Sequence, residues 1–158
     1  RLAAPPFGLS PAEVGLVFLV YPIGASIVPL NGRLLRALGC RGAVTAALAL
    51  CLVGQLALLA PLLAITATGI CIFVTGIFVA QSLALGYVGR TAGQGKGGAA
   101  GLYVCCFYLG GSLGSVTPGL IWDSAGWSGC VGLVAAALAI GAAAARFMRE
   151  SRSEIPAH

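Results

Sequence analysis

Eight of the nine basic residues in this 158-residue chain fall in three places. Arg33, Arg36 and Arg41 form one group, Arg90 and Lys96 a second, and Arg146, Arg149 and Arg152 a third. Long apolar stretches separate the groups. The gaps on the alternate side hold only Arg1, Glu13 and Asp123. A chain threaded back and forth through a bilayer shows this alternation, with its basic connections in the cytoplasm. Charged residues make up 8% of the chain, against about 25% in a soluble domain. Such a surface cannot be solvated by water, so lipid is its solvent. The net charge of +5 sits in short connections and a tail, so no nucleic-acid partner is expected.

A spanning helix needs about 20 mostly apolar residues. The sequence predicts five, over residues 11–35, 43–59, 62–88, 97–122 and 128–147, called here A to E, with a cytoplasmic tail over 148–158. The apolar runs lack the alternation of a transmembrane barrel, so the fold class is an all-α membrane protein. Ser10, Pro11 and Glu13 form a helix start with a capping box. Pro29, Asn31 and Gly32 mark the end of A, and Pro61 a tight B–C turn. Gly93 to Gly98 is a flexible connector. Trp122 and Trp127 flank the D–E turn, at interface depth. The basic side being inside, the first residues lie outside and the C-terminus in the cytoplasm. Arg1 to Pro6 lack the order of a signal peptide. An odd number of helices starting outside predicts a further segment upstream.

No catalytic or metal constellation is expected. The six cysteines include no CxxC, and the single histidine is His158, so the cysteines read as small apolar filler. Gly110-Gly111-Ser112-Leu113-Gly114 fits the serine-hydrolase pattern, but no histidine or lysine lies in any span to act as base. The chain is read as a non-enzyme without cofactors.

Polar residues divide unevenly among the spans. A carries Tyr21, Ser26 and Asn31; C carries Thr66, Thr68, Thr75, Gln81, Ser82 and Tyr87; D carries Tyr103, Tyr108, Ser112, Ser115 and Thr117. B and E have few. Polar groups in hydrocarbon face protein or a wet cavity, so A, C and D are expected to face inward and B and E lipid. Tyr21, Ser26, Gln81, Tyr103, Tyr108 and Ser112 are the candidates to line a substrate cavity. Tyr103 and Tyr108, at about 100° per residue, cannot share one narrow face. In D, Gly97 and Gly101, Gly110 and Gly114, and Ser115 and Gly119 stand four apart, the spacing of close helix packing in lipid.

The A–B connection reads Gly32-Arg33-Leu34-Leu35-Arg36-Ala37-Leu38-Gly39-Cys40-Arg41. It resembles the cytoplasmic loop motif of the major facilitator superfamily, G-x-L-x-D-R-x-G-R-R. Gly32, Leu34, Gly39 and Arg41 match. Arg36 stands where the family has its acid. The stretches PPFGLSPAEVGLVFLVYPIGASIVPLNGRL, GIFVAQSLALGYVGR and GLYVCCFYLGGSLGSVTPGLIWDSAGW look like the eighth, tenth and eleventh helices of bacterial exporters of this family. The resemblance implies that A to E are helices eight to twelve, a partial C-terminal six-helix bundle, with A, C and D bordering a central cavity.

It further implies alternating-access transport of a small molecule, proton-coupled efflux by an antiporter in the bacterial inner membrane. The implied partners are the lipid bilayer, a small-molecule substrate and a missing N-terminal half. No Asp, Glu, Lys, Arg or His lies mid-membrane here, so a proton-coupling group is expected in that half. The competing reading is a non-transporting polytopic subunit or scaffold that associates through its glycine faces.

Overall fold

The computed structural model describes Leu2 and residues 7–148. Arg1, Arg149, Arg152 and the tail from 149 onward lie outside the described residues. Helices α1 (Pro11–Leu16), α2 (Val20–Ser26), α3 (Asn31–Ala57), α4 (Leu63–Thr91) and α5 (Lys96–Ala145) follow in order, and the described residues contain no strand.

The chain enters α1 as expected. The Ser10 hydroxyl oxygen accepts from the Glu13 backbone N–H, and the Ser10 N–H donates to the Glu13 carboxylate at 2.8 Å. Pro22 and Pro29 then interrupt the helix. Each lacks the N–H that would bond four residues back, and its ring crowds that carbonyl. The backbone tightens into short 3₁₀ turns at Val17–Leu19 and Val28–Leu30. Asn31 and Gly32 do not end helix A. They open α3, and the end falls at Gly39, with φ 68° and ψ 175°.

That region is open to glycine almost alone. Helical hydrogen bonding resumes at once, so the two arms of α3 share one bend with no loop. The arms lie side by side: Leu30, Asn31 and Leu34 line one cleft together with Ala46, Ala47 and Leu50. Gly126 does the same inside α5, with φ 57° and ψ −155°. The Cys130 thiol reaches the Pro118 carbonyl at 3.5 Å. Twelve residues of straight helix would put about 18 Å between them, so the second arm folds back on the first.

The expectation of five separate membrane helices is therefore corrected. Among the described residues, three helical stretches are long and apolar enough to cross a membrane: Pro11–Ala57, Leu63–Thr91 and Gly93–Ala145. A joins B, and D joins E, through a single glycine, so no loop separates them.

The core forms where α3 meets α4. A Cβ on Gly54 would lie 2.5 Å from the Phe73 N, and one on Gly76 would lie 2.9 Å from the Ala47 carbonyl oxygen. The two backbones touch, with the Cys51 side chain buried between them. Deeper along the same seam, Ala43, Val44, Ala47, Val79, Ala80, Leu83 and Ala145 form a buried cluster under Leu34, Leu35 and Met148. Span B was expected to face lipid. Leu50, Val53 and Leu56 are indeed exposed, but α3 also buries Ala43, Val44, Ala47, Cys51, Gly54 and Gln55, and the small residues Ala47, Cys51 and Gly54 let α4 approach. The first arm of α5 is the exposed one: Leu102, Leu109, Leu113, Val116 and Leu120 are each at least 60% exposed.

The bundle has two unlike ends. At one, the Arg90 guanidinium lies 3.7 Å from the Cys40 sulfur, and Arg41 and Arg146 line one cleft. At the other, the Trp127 indole donates to the Leu58 carbonyl at 3.0 Å, and the Trp122 ring stands edge-on to Trp127 at 6.3 Å. The Thr66 hydroxyl closes the turn there by donating to the Ala60 carbonyl.

Substituting Gly39→Ala or Gly126→Ala should cost about 1–3 kcal/mol each through backbone strain. Gly54→Ala should also destabilise, by about 1–3 kcal/mol, since the new methyl meets backbone. Gly101→Ala, with nothing within 4 Å of its Cβ, should be neutral or stabilising. Thermal unfolding in detergent, followed by tryptophan fluorescence, ranks the four variants; equal melting temperatures would contradict this account of the bends.

Candidate functional site

The six cavity candidates do not converge on one place. Gln81 on α4 and Tyr103 on the first arm of α5 come together, where the Tyr103 hydroxyl donates to the Gln81 backbone carbonyl at 3.3 Å. Both line a groove of about 460 Å³. Its walls are Val44 and Leu48 of α3, Ile77, Ala80 and Ala84 of α4, and Phe107, Gly141, Ala144, Ala145 and Met148 of α5. The groove is almost wholly apolar, with the Gln81 amide and the Tyr103 phenol as its polar side chains.

Tyr21 of α2 sits elsewhere. It is half exposed and meets Phe78 edge-on, with ring centroids 5.9 Å apart. Phe78 is one turn before Gln81, so Tyr21 flanks the same helix without entering the groove. Ser26 is exposed. Tyr108 and Ser112 lie on the open face of α5, where Tyr108 is 69% exposed. The Ser112 hydroxyl donates to the Tyr108 carbonyl at 2.9 Å. Tyr108 is turned from Tyr103 by about 140°, as five residues of helix require. The set thus splits between an inner groove and an outer face.

The serine and threonine hydroxyls of α5 are satisfied locally. Ser115 donates to the Ser112 carbonyl, and Thr117 to the Leu113 carbonyl. Serine and threonine use this back-bond to sit in apolar surroundings without a partner on another helix. Gly97, Gly101, Gly110, Gly114 and Gly119 make no close packing within this chain, since a Cβ at each would meet nothing within 4 Å. Close backbone approach falls to Gly54, Gly69 and Gly76 instead. Sequence reading missed those three, although Gly69 and Gly76 stand seven apart, and Ala47, Cys51 and Gly54 make a matching stripe on α3.

The loop motif is spread over two roles. Gly39 makes the reversal. Leu34 packs against the core cluster. Gly32, Arg36 and Arg41 are exposed, and the Arg36 side chain lies back over Gly32, with Nη1 3.7 Å from where a Cβ would be. Asn31, also singled out by its polarity, donates from its side-chain amide to the Ser82 hydroxyl and ties α3 to α4. That bond sits beside a second cleft of about 400 Å³, lined also by Arg33 and Thr75.

No group of three or more histidine, cysteine, aspartate or glutamate side chains among the described residues could hold a metal. The first cleft offers neutral hydrogen-bonding groups and apolar walls, and the second adds the Arg33 guanidinium to a mostly apolar lining.

Comparison with known proteins places the chain in a family. The family model described as "Major Facilitator Superfamily" matches residues 2–158. An "Uncharacterized transporter" of Buchnera aphidicola subsp. Baizongia pistaciae is 27% identical over 141 residues, covering 89% of this chain and 35% of that protein. A second "Uncharacterized transporter", from Buchnera aphidicola subsp. Schizaphis graminum, is 30% identical over 129 residues, covering 82% of this chain and 31% of its own length. The "Inner membrane transport protein YnfM" of Escherichia coli strain K12 is 37% identical over 65 residues, 41% of this chain and 16% of that protein. The chain thus spans about a third of the length of the first two relatives. No solved structure matches it significantly. With the family model matched over residues 2–158 and long apolar helices beneath that match, this chain belongs to the major facilitator superfamily as a multi-pass membrane protein.

Proposed function

We propose that this chain forms one wall of the substrate path in a secondary transporter that works by alternating access. The observation that carries the reading is the open face of α5. There Tyr108 and Ser112 stand among Leu102, Leu109, Leu113 and Val116, all exposed within this chain. A helix solvated only by lipid has no use for an exposed tyrosine away from the interface. A helix facing a second bundle across a cavity does. The open glycines Gly97, Gly101, Gly110, Gly114 and Gly119 fit the same arrangement, offering close contact to a neighbouring bundle.

The reading extends to the chain's place in the whole protein. The three apolar stretches belong to the C-terminal half of a twelve-helix protein. An N-terminal half supplies the other wall. The end that gathers Arg41, Arg90 and Arg146 lies in the cytoplasm, and the tryptophan end outside, in a bacterial inner membrane. The ligand is a small, uncharged or amphiphilic molecule, since the candidate residues are neutral donors and aromatic rings. Transport is proton-coupled efflux, with its titratable group in the other half. A scaffold without transport is the competing reading, and the open glycines alone would fit it.

In the whole transporter, Tyr108→Ala and Gln81→Ala should lower the rate of substrate efflux from cells about tenfold or more while membrane insertion stays normal; that is the loss of roughly one good hydrogen bond or ring contact. Unchanged efflux in both would assign these residues to packing. Orientation is read separately, by fusing a fluorescent protein or alkaline phosphatase after Met148. Fluorescence with an inactive phosphatase is expected, and the reverse would overturn the assignment of sides.

A further inference from the structure

The basic end holds a cleft that the transport reading leaves without a role. It measures about 490 Å³ and is lined by Arg41 just past the Gly39 bend, by Arg146 at the end of α5, and by Leu38, Thr45, Ala46 and Ala49 between them. Two arginines from distant parts of the sequence thus flank an apolar floor. The Thr45 hydroxyl is committed to its own helix, donating to the Arg41 carbonyl at 2.9 Å, so the guanidinium groups are the cleft's free polar equipment. Among the described residues no carboxylate lines it. Glu13 is bonded to Ser10 beyond the far end of the chain's first helices, and Asp123 adjoins the tryptophan turn.

We infer that this cleft holds the phosphate of an anionic glycerophospholipid, with an acyl chain lying along Leu38, Ala46 and Ala49. The two parts of the cleft match the two parts of such a lipid. Guanidinium forks bind phosphate oxygens in pairs. The floor is methyl groups, which offer nothing to a free anion. The depth agrees as well. Arg146 caps the last apolar turn of α5, and Arg41 opens the second arm of α3, so both stand where hydrocarbon gives way to headgroups. Basic pockets between spanning helices are the expected seats of anionic headgroups, each cation near the surface adding to the attraction. The inference is independent of substrate and transport direction, and rests only on the chain spanning a bilayer.

The test uses the purified chain in detergent micelles, titrated with phosphatidylglycerol or phosphatidylcholine, with bound lipid counted by native mass spectrometry. Phosphatidylglycerol should bind about tenfold or more tightly, and R41Q/R146Q should bring it down to the phosphatidylcholine level. Arg36→Gln, outside the cleft, should leave the preference intact. R41K/R146K keeps the charge and should retain a partial preference. If the double glutamine variant melts early, each single variant read alone should show about threefold weaker binding. Equal phosphatidylglycerol binding by wild type and R41Q/R146Q would overturn the inference. So would full displacement by inorganic phosphate at the lipid's own concentration, since that would make the cleft a free-anion site.

Discussion

Every buried backbone group in hydrocarbon must find its hydrogen bond inside the protein, and the fold follows from how this chain reverses under that rule. A loop exposed to lipid would leave donors and acceptors unpaired at several kcal/mol each. The chain avoids loops at two of its reversals by placing one glycine in a conformation closed to other residues, at Gly39 and at Gly126. Helical conformation runs up to each bend and resumes directly after it. Where a turn without such a glycine is used, between α3 and α4, it is closed by other means: Leu58, Leu59 and Ala60 bond three residues back, and Thr66 and Trp127 donate to the Ala60 and Leu58 carbonyls.

The second constraint is that lipid gives no hydrophobic drive for one helix to seek another. Association has to come from close contact and from the few polar groups available. The α3–α4 seam meets this with glycines opposite backbone and a cysteine in the gap. It is strengthened by the Asn31–Ser82 side-chain bond, while the Trp127–Leu58 bond ties α5 to the end of α3. Larger side chains on that seam would hold the backbones apart and lose both the dispersion contact and the reach of those bonds. Packing and polar pairing therefore depend on the same small residues.

Much of this was legible in the sequence. Apolar length and the spacing of the arginines are one-dimensional signals, and the structure indeed gathers Arg41, Arg90 and Arg146 at one end. The Ser10–Glu13 cap needed only local spacing. The bend at Gly39 was harder, because Pro29, Asn31 and Gly32 look like a better helix end. A proline at the start of a short 3₁₀ turn can be followed by more helix, and only backbone geometry shows which glycine takes positive φ. The seam was missed because small-residue stripes occur on α3, α4 and α5 alike, and sequence does not say which two will meet. Of the six cavity candidates, polarity alone found Gln81 and Tyr103 together, but could not separate that inner groove from the open face bearing Tyr108 and Ser112.

That separation bears on how α5 is used. Its first arm is rich in glycine and its second in alanine, and they behave differently. The second arm packs into the bundle, burying Cys130, Val131, Leu138 and Ala145. The first arm buries none of its residues, and its Tyr103 hydroxyl bonds to α4. Movement of the arm relative to α4 breaks that phenol hydrogen bond, worth on the order of 1 kcal/mol. The Ser112, Ser115 and Thr117 hydroxyls bond to the arm's own backbone, so they abandon no partner elsewhere when it shifts. The glycines along it offer no side chains to interlock with the arm behind. A segment that must slide against a neighbour in a rocking bundle would be built with these properties, and a segment serving only as an anchor would look like the second arm.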